Sequence, residues 1–259
     1  MKILLFMTLF AFAFAFAAEA KVRTETVEYR DGDTILEGYL AYDDAVKGKR
    51  PGVVVVHEWW GLNDYAKGRA EELANLGYVA FAIDMYGKGV RAKTAEEAGK
   101  LAGIYRADRK LMRRRADAGL EVLKKYPLTD TKNIAAIGYC FGGGVVLEMA
   151  RAGTDIAGVV SFHGDLSNPN PADAKNIGAS VLVLHGADDP FVKQEQVDAF
   201  WDEMRKTSAD WQVNIYSGAV HSFTNPASGN DPSKGLAYNE RAARRAWSAM
   251  KMFFGEIFK

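Results

Sequence analysis

The chain has a single cysteine, and it stands in the run Gly138-Tyr139-Cys140-Phe141-Gly142-Gly143-Gly144. Glycines two before and two after a nucleophile permit a sharp, strained turn that lifts the reactive side chain above a sheet. The apolar run before Cys140 predicts a strand, and the residues after it predict a helix. The helix N-terminus would then face the sulfur and favour the thiolate. In that geometry the Phe141 N–H is placed to hold an oxyanion. The chemistry implied is attack on an acyl carbon through a thioester. The rival reading is a buried cysteine beside a glycine-rich helix start. A dinucleotide site is a poorer fit, because the glycines are out of register for G-x-G-x-x-G.

A thiol nucleophile needs a base, and the base needs a group to orient it. The run Val181–His185 leads into Gly186-Ala187-Asp188-Asp189-Pro190-Phe191-Val192, and Trp211–Tyr216 leads into Ser217-Gly218-Ala219-Val220-His221-Ser222-Phe223. Asp189 and His221 therefore follow Cys140 in the order nucleophile, acid, histidine, each just past a strand end, where open α/β sheets bind ligands. An Asp-Pro turn and a loop histidine are ordinary separately; their joint placement argues for a triad. His163 and His185 read as structural or pocket-lining. His57 and Glu58 do not open a zinc motif, because position 61 is glycine where H-E-x-x-H needs histidine. Neither a metal nor a cofactor is expected.

The segment His57-Glu58-Trp59-Trp60-Gly61-Leu62-Asn63 follows the first buried strand, where a second oxyanion N–H is expected. Trp59 is the candidate for that amide. Glu58, at the mouth of a tryptophan-rich cleft, either hydrogen-bonds Cys140 and controls its ionisation or is a solvated loop glutamate. Trp60, Tyr86 and Tyr139 are expected to line an apolar or aromatic acyl pocket. The basic stretch Arg106, Arg109, Lys110 and Arg113 to Arg115 reads as a solvated face rather than an anion clamp.

These residues need a rigid frame. Glu25 to Tyr29 and Ile35 to Tyr42 alternate around Asp31-Gly32-Asp33 and predict an antiparallel hairpin. Beyond it come unalternating apolar runs, the pattern of strands buried on both faces: Pro51–His57, Tyr78–Ile83, Ile134–Gly138, Ile156–Phe162, Val181–His185 and Trp211–Tyr216. Helical spacing occupies Tyr65–Leu76, Ala95–Tyr126 with a break near Tyr105, Gly142–Ala152, Gln194–Thr207 and Ala237–Phe258. The fold class expected is α/β: a mostly parallel central sheet with an N-terminal antiparallel hairpin and helices on both faces. The segment from Ser222 to Gly235, rich in proline, glycine and small polar residues, is either a lid over the site or a plain surface loop.

Composition narrows the partner. Of 259 residues 48% are hydrophobic and 25% charged, with Lys+Arg and Asp+Glu both at 33. A balanced chain offers no global field for nucleic acid or an anionic membrane; a small, roughly neutral molecule fits better. Residues 1–20 read as a signal peptide. Lys2 is the positive start, Ile3 to Ala17 is apolar, and Ala18-Glu19-Ala20 precedes a cleavage point before Lys21. An apolar run of about 15 residues falls short of the roughly 20 a spanning helix needs. Residues 21–259 then form one exported domain, periplasmic or secreted, with no stable membrane association after cleavage. A lone thiol there forms no internal disulfide.

The chain resembles the dienelactone hydrolase family of the α/β-hydrolase fold. The resemblance is carried by Glu58 in His-Glu-Trp-Trp-Gly-Leu-Asn, the Gly-Tyr-Cys-Phe-Gly-Gly turn, Asp189 three after Gly186, and His221-Ser222-Phe223. It implies a Cys140-His221-Asp189 triad with Glu58 as an accessory group. In that family the thiol rests protonated, and ligand binding repositions the glutamate to generate thiolate. The family's type enzyme also holds a substrate carboxylate with arginines. One of them lies four residues after the catalytic histidine, where this chain has Asn225, and no match for the other is found near Ala98–Gly103. That departure argues against dienelactone itself as substrate. The expected function is cysteine-dependent hydrolysis of small esters or lactones; the alternative is a catalytically inactive small-molecule-binding module of the same fold.

Overall fold

A computed structural model describes residues 21–259; the predicted signal peptide lies outside the described residues. The hairpin forms as expected, β1 (Val22–Asp31) pairing antiparallel with β2 (Thr34–Asp43) around a turn with Gly32 at φ +58°. Six strands follow: β3 (Arg50–Val56), β4 (Val79–Ile83), β5 (Thr129–Tyr139), β6 (Gly158–Phe162), β7 (Ser180–Gly186) and β8 (Trp211–Tyr216). They run parallel to one another, in the order β1-β2-β4-β3-β5-β6-β7-β8 across the sheet. From β3 the chain winds first to β4 and then back past β3 to β5. That reversal opens a crevice beyond the C-terminal ends of β3 and β5, the place where such sheets take ligands.

Strand composition explains the burial. In β3, Val53 and Val55 pack on one face and Val54 and Val56 on the other, as a period of two requires. The first face is covered by α1 (Asp64–Asn75) and α6 (Glu240–Ile257), through residues such as Leu73, Met250 and Phe253. The second is covered by α2 (Ala95–Ala107), α3 (Arg109–Lys125), α4 (Phe141–Arg151) and α5 (Gln194–Met204).

Two expectations need correction. The long helical stretch breaks at Asp108 rather than near Tyr105. Asp108 leaves helical geometry at φ −122°, ψ 89°, and its carboxylate accepts the Leu111 N–H at 2.9 Å, starting α3. The basic stretch is also not a solvated face throughout. Arg115 sits on the core stripe of α3 with Met112, Ala116 and Gly119, only 4% exposed, and donates to Asp31 at 2.9 Å. Arg113 pairs with Glu148 at 2.8 Å and Asp173 at 2.6 Å. Beneath the sheet, Arg151 is buried between Glu148 and Glu203 and also donates to the Leu166 and Ser167 carbonyls.

Candidate active site

Cys140 occupies the turn between β5 and α4 at φ +54°, ψ −114°, a region that non-glycine residues enter only when their surroundings force it. The glycines show what does the forcing. A Cβ on Gly138 would collide with the Gly142 carbonyl, and one on Gly142 would collide with the Val56 and His57 carbonyls. The turn is therefore pressed against the end of β3. Cys140 is the N-cap of α4, and its side chain makes no capping hydrogen bond, which leaves the sulfur to the cleft.

His221 and Asp189 arrive from the loops after β8 and β7. His221 Nδ1 hydrogen-bonds Asp189 Oδ2 at 2.8 Å, and the Asp189 Oδ1 accepts the Phe191 N–H at 2.9 Å. The His221 backbone is tied down by its N–H to the Gly235 carbonyl and by the Ala237 N–H to its own carbonyl. Burial alone would lower the imidazole. Cys140 and Asp189, both hydrogen-bonded to the ring, outweigh that and push it up to about 10. A thiol, an imidazole and a carboxylate thus stand in series, an arrangement able to move a proton from sulfur to nitrogen.

Glu58 is not a solvated loop residue: it is buried, 3% exposed, at the cleft wall beside Cys140. Its carboxylate accepts the Ser222 hydroxyl at 2.8 Å and the Asn225 amide at 2.7 Å. Among the described residues it has no hydrogen bond to Cys140, so direct contact, the functional alternative, is not the arrangement found. Burial raises its carboxyl above the usual range, opposed by Ser222, Asn225 and the positive charges of His221 and Arg69. Ser222 and Asn225 were not singled out as its partners. The only signal for Asn225 was that it stands where the resemblance places an arginine.

The cleft has a volume of about 1160 Å³. Trp59 and Trp60 line it, with ring centroids 5.2 Å apart in a T-shape. Tyr86 and Tyr139 do not, which corrects their expected pocket role. Tyr139 is fully buried on the opposite face of the sheet, stacked on Phe162 at 4.6 Å. Consecutive residues of a strand point to opposite faces, so the neighbour of an upward-facing side chain is turned away. Tyr86 is 8% exposed, and its hydroxyl donates to the Trp59 carbonyl at 3.0 Å. Sequence reasoning missed Phe191, which is 56% exposed at the cleft and meets the His221 ring edge-on at 5.4 Å. Arg106 also reaches the cleft and lies over the Phe141 ring. Ala227, Ser228, Lys234 and Leu236 show that the segment after His221 forms one wall. His163 is fully buried behind His221, their rings 5.3 Å apart, and neither it nor His185 lines the cleft.

Phe141 follows Cys140 at the start of α4, and Trp59, just past β3, lines the same cleft as Cys140. No group of histidine, cysteine and carboxylate side chains suited to a metal occurs among the described residues.

Known proteins agree with this architecture. The solved structure of m3DLH is 42% identical, covers 92% of this chain and 99% of its own, and superposes with a TM-score of 0.89. A dienelactone hydrolase-like promiscuous phosphotriesterase from metagenomic libraries is 45% identical over the same shares, with a TM-score of 0.88. Protein usf of Aquifex pyrophilus is 30% identical over 237 residues, 90% of this chain and 98% of that protein. The family model described as the dienelactone hydrolase family matches residues 36–258. With that match and the α/β-hydrolase sheet that carries the site, this chain belongs to the dienelactone hydrolase family and is a hydrolase of that kind.

Proposed function

We propose that the protein is an exported hydrolase of small esters or lactones that works through Cys140, His221 and Asp189. The observation that carries this reading is the strained Cys140 at the head of α4 beside an imidazole that Asp189 holds at 2.8 Å. Asp189 fixes the proton on Nδ1, so Nε2 faces the thiol. His221 takes the thiol proton and Cys140 Sγ adds to the acyl carbon, the carbonyl electrons moving to oxygen. The N–H groups of Phe141 and Trp59 hold that oxyanion; one such donor is worth about 3 kcal/mol of barrier. Collapse breaks the acyl–oxygen bond, and the leaving alcohol takes its proton from His221. Water then gives a proton to His221 and its oxygen to the thioester, releasing the acid and restoring the thiol. Trp59, Trp60 and Phe191 favour an apolar or aromatic acyl group.

The test compares the chain from Lys21 with Cys140→Ala on p-nitrophenyl esters and small lactones. A phosphotriester belongs on the panel because one relative is named for that activity. Loss of about 10³-fold or more in kcat on the preferred substrate is expected. Equal rates would remove Cys140 as nucleophile. No turnover by the parent, with ligand binding retained, would favour the small-molecule-binding alternative. Export is tested by N-terminal sequencing of the protein recovered outside the cytoplasm, which should begin at Lys21.

A further inference from the structure

The two peptide groups that flank Trp59 are each held by a buried side chain that lines no part of the cleft. His57, fully buried, donates from Nδ1 to the Glu58 carbonyl. Its tautomer follows from the other ring nitrogen: Nε2 accepts the Met85 N–H at 3.3 Å, so the hydrogen resides on Nδ1. Burial lowers this imidazole to about 4, which keeps the ring neutral and the tautomer fixed at ordinary pH. The Gly61 N–H also reaches the Glu58 carbonyl, at 3.4 Å. On the other side of Trp59, the Tyr86 hydroxyl donates to the Trp59 carbonyl at 3.0 Å.

A trans peptide points its N–H opposite to its C=O. Turning the Glu58 carbonyl toward His57 therefore turns the Trp59 N–H away from His57. Among the described residues neither this N–H nor that of Phe141 has a protein acceptor. The clamp also touches the second amide's own residue. The His57 ring lies 4.9 Å from Tyr86 and 6.1 Å from Phe141, and Tyr86 lies 5.7 Å from Phe141.

We propose that His57 and Tyr86 are positioning residues that lock the backbone on both sides of Trp59, so that its N–H and that of Phe141 converge on the acyl oxygen in turnover. Neither side chain touches the reacting atoms; both act through the amide they orient. The inference deepens the function proposed above and rests on it.

The test separates oxyanion stabilisation from thiol reactivity. Iodoacetamide alkylates Cys140 by displacement of iodide, a step that needs thiolate but forms no oxyanion. Tyr86→Phe keeps the ring and deletes the donor. It should lower kcat on p-nitrophenyl acetate about tenfold or more, with KM and the alkylation rate within about twofold of the parent. At position 57, Asn places an N–H near the site of Nδ1, whereas Gln reaches the Nε2 position. His57→Asn should therefore retain more kcat than His57→Gln. Thermal melts show whether each variant is folded; if the His57 variants are not, Tyr86→Phe decides. Unchanged kcat in Tyr86→Phe, or alkylation falling in step with it, overturns the clamp while leaving the cysteine mechanism intact. Equal losses in the folded Asn and Gln variants remove His57 from it. Undiminished esterase activity in Cys140→Ala sinks the underlying mechanism instead, and the clamp with it.

Discussion

Two of the buried carboxylate sites around this sheet are solved in opposite ways. Under α4, Glu148 and Glu203 close on Arg151, which forks two nitrogens onto Glu203 at 2.8 Å each. At the cleft, Glu58 is just as deeply buried but receives only a hydroxyl and an amide. With Arg113 also on Glu148, the first arrangement sets a guanidinium against each carboxylate and ties α4 to α5 and to the Leu166–Ser167 loop. The second leaves a carboxyl that burial raises above the usual range. Full pairing makes a girder. Partial pairing, in the cleft that also holds Cys140, leaves a carboxylate held by neutral donors.

The largest effect should come from breaking the paired site. Arg151→Leu takes the guanidinium from buried Glu203, leaves Glu148 to Arg113 alone, and should cost about 3–5 kcal/mol, roughly 10 °C in Tm by calorimetry. A much smaller loss would mean that the network is not the girder described. Next, Asn225→Leu removes one of the two donors to Glu58 and also frees the Ala227 N–H. Urea unfolding at pH 7 should show a loss of about 1.5–3 kcal/mol. That loss should shrink on acidification, because a protonated Glu58 needs the donor less.

Glu58→Gln is a smaller change of opposite sign in stability. A carboxyl raised above 4.5 in the folded state binds more protons there than in the unfolded chain. Stability therefore falls as pH rises from about 4.5 through the folded value. Gln removes that fall, so the variant should be flatter with pH and gain on the parent as pH rises toward 7, while esterase activity drops. A less stable variant would place Glu58 with the paired carboxylates. The smallest effect is read by NMR titration of His221. Cys140 raises that imidazole, so Cys140→Ala should shift its titration down from about 10, leaving burial opposed by Asp189 alone. A raised imidazole stabilises the fold fully below about 6.5 and loses that contribution as pH rises through its folded value. The Ala variant should lose it at lower pH.

Much of the frame was legible because its signals are local. The run around Cys140 specifies its own turn, since its glycines are required by collisions within a few residues and with the adjacent strand end. The central strands announced themselves as unalternating apolar runs, and Asp189 needed only to stand just past β7; β8, ahead of His221, was expected to be buried too but is an edge strand in which only Tyr216 is buried. Side-chain direction was less legible. Tyr139 and Cys140 are neighbours in sequence but belong to opposite faces of the sheet. Arg115 reads as one of several solvated cations until the rotation of α3 puts it on the core side with Asp31. The break at Asp108 is itself locally encoded, by an aspartate whose carboxylate caps an N–H three residues on.

What the sequence alone determined, then, is the order of strands and helices, the one available thiol and the loops that bring an acid and a histidine after it. These follow from periodicity and turn chemistry, which act over a few residues. Only the tertiary structure decided how the long-range hydrogen bonds pair up. Glu58 meets Ser222 and Asn225 across more than 160 positions of chain, and the Tyr86 hydroxyl finds the Trp59 carbonyl rather than the cleft. Such partners are selected by desolvation. Once the sheet closes, every buried donor and acceptor must take what the fold places beside it, and no pattern along the chain records that choice.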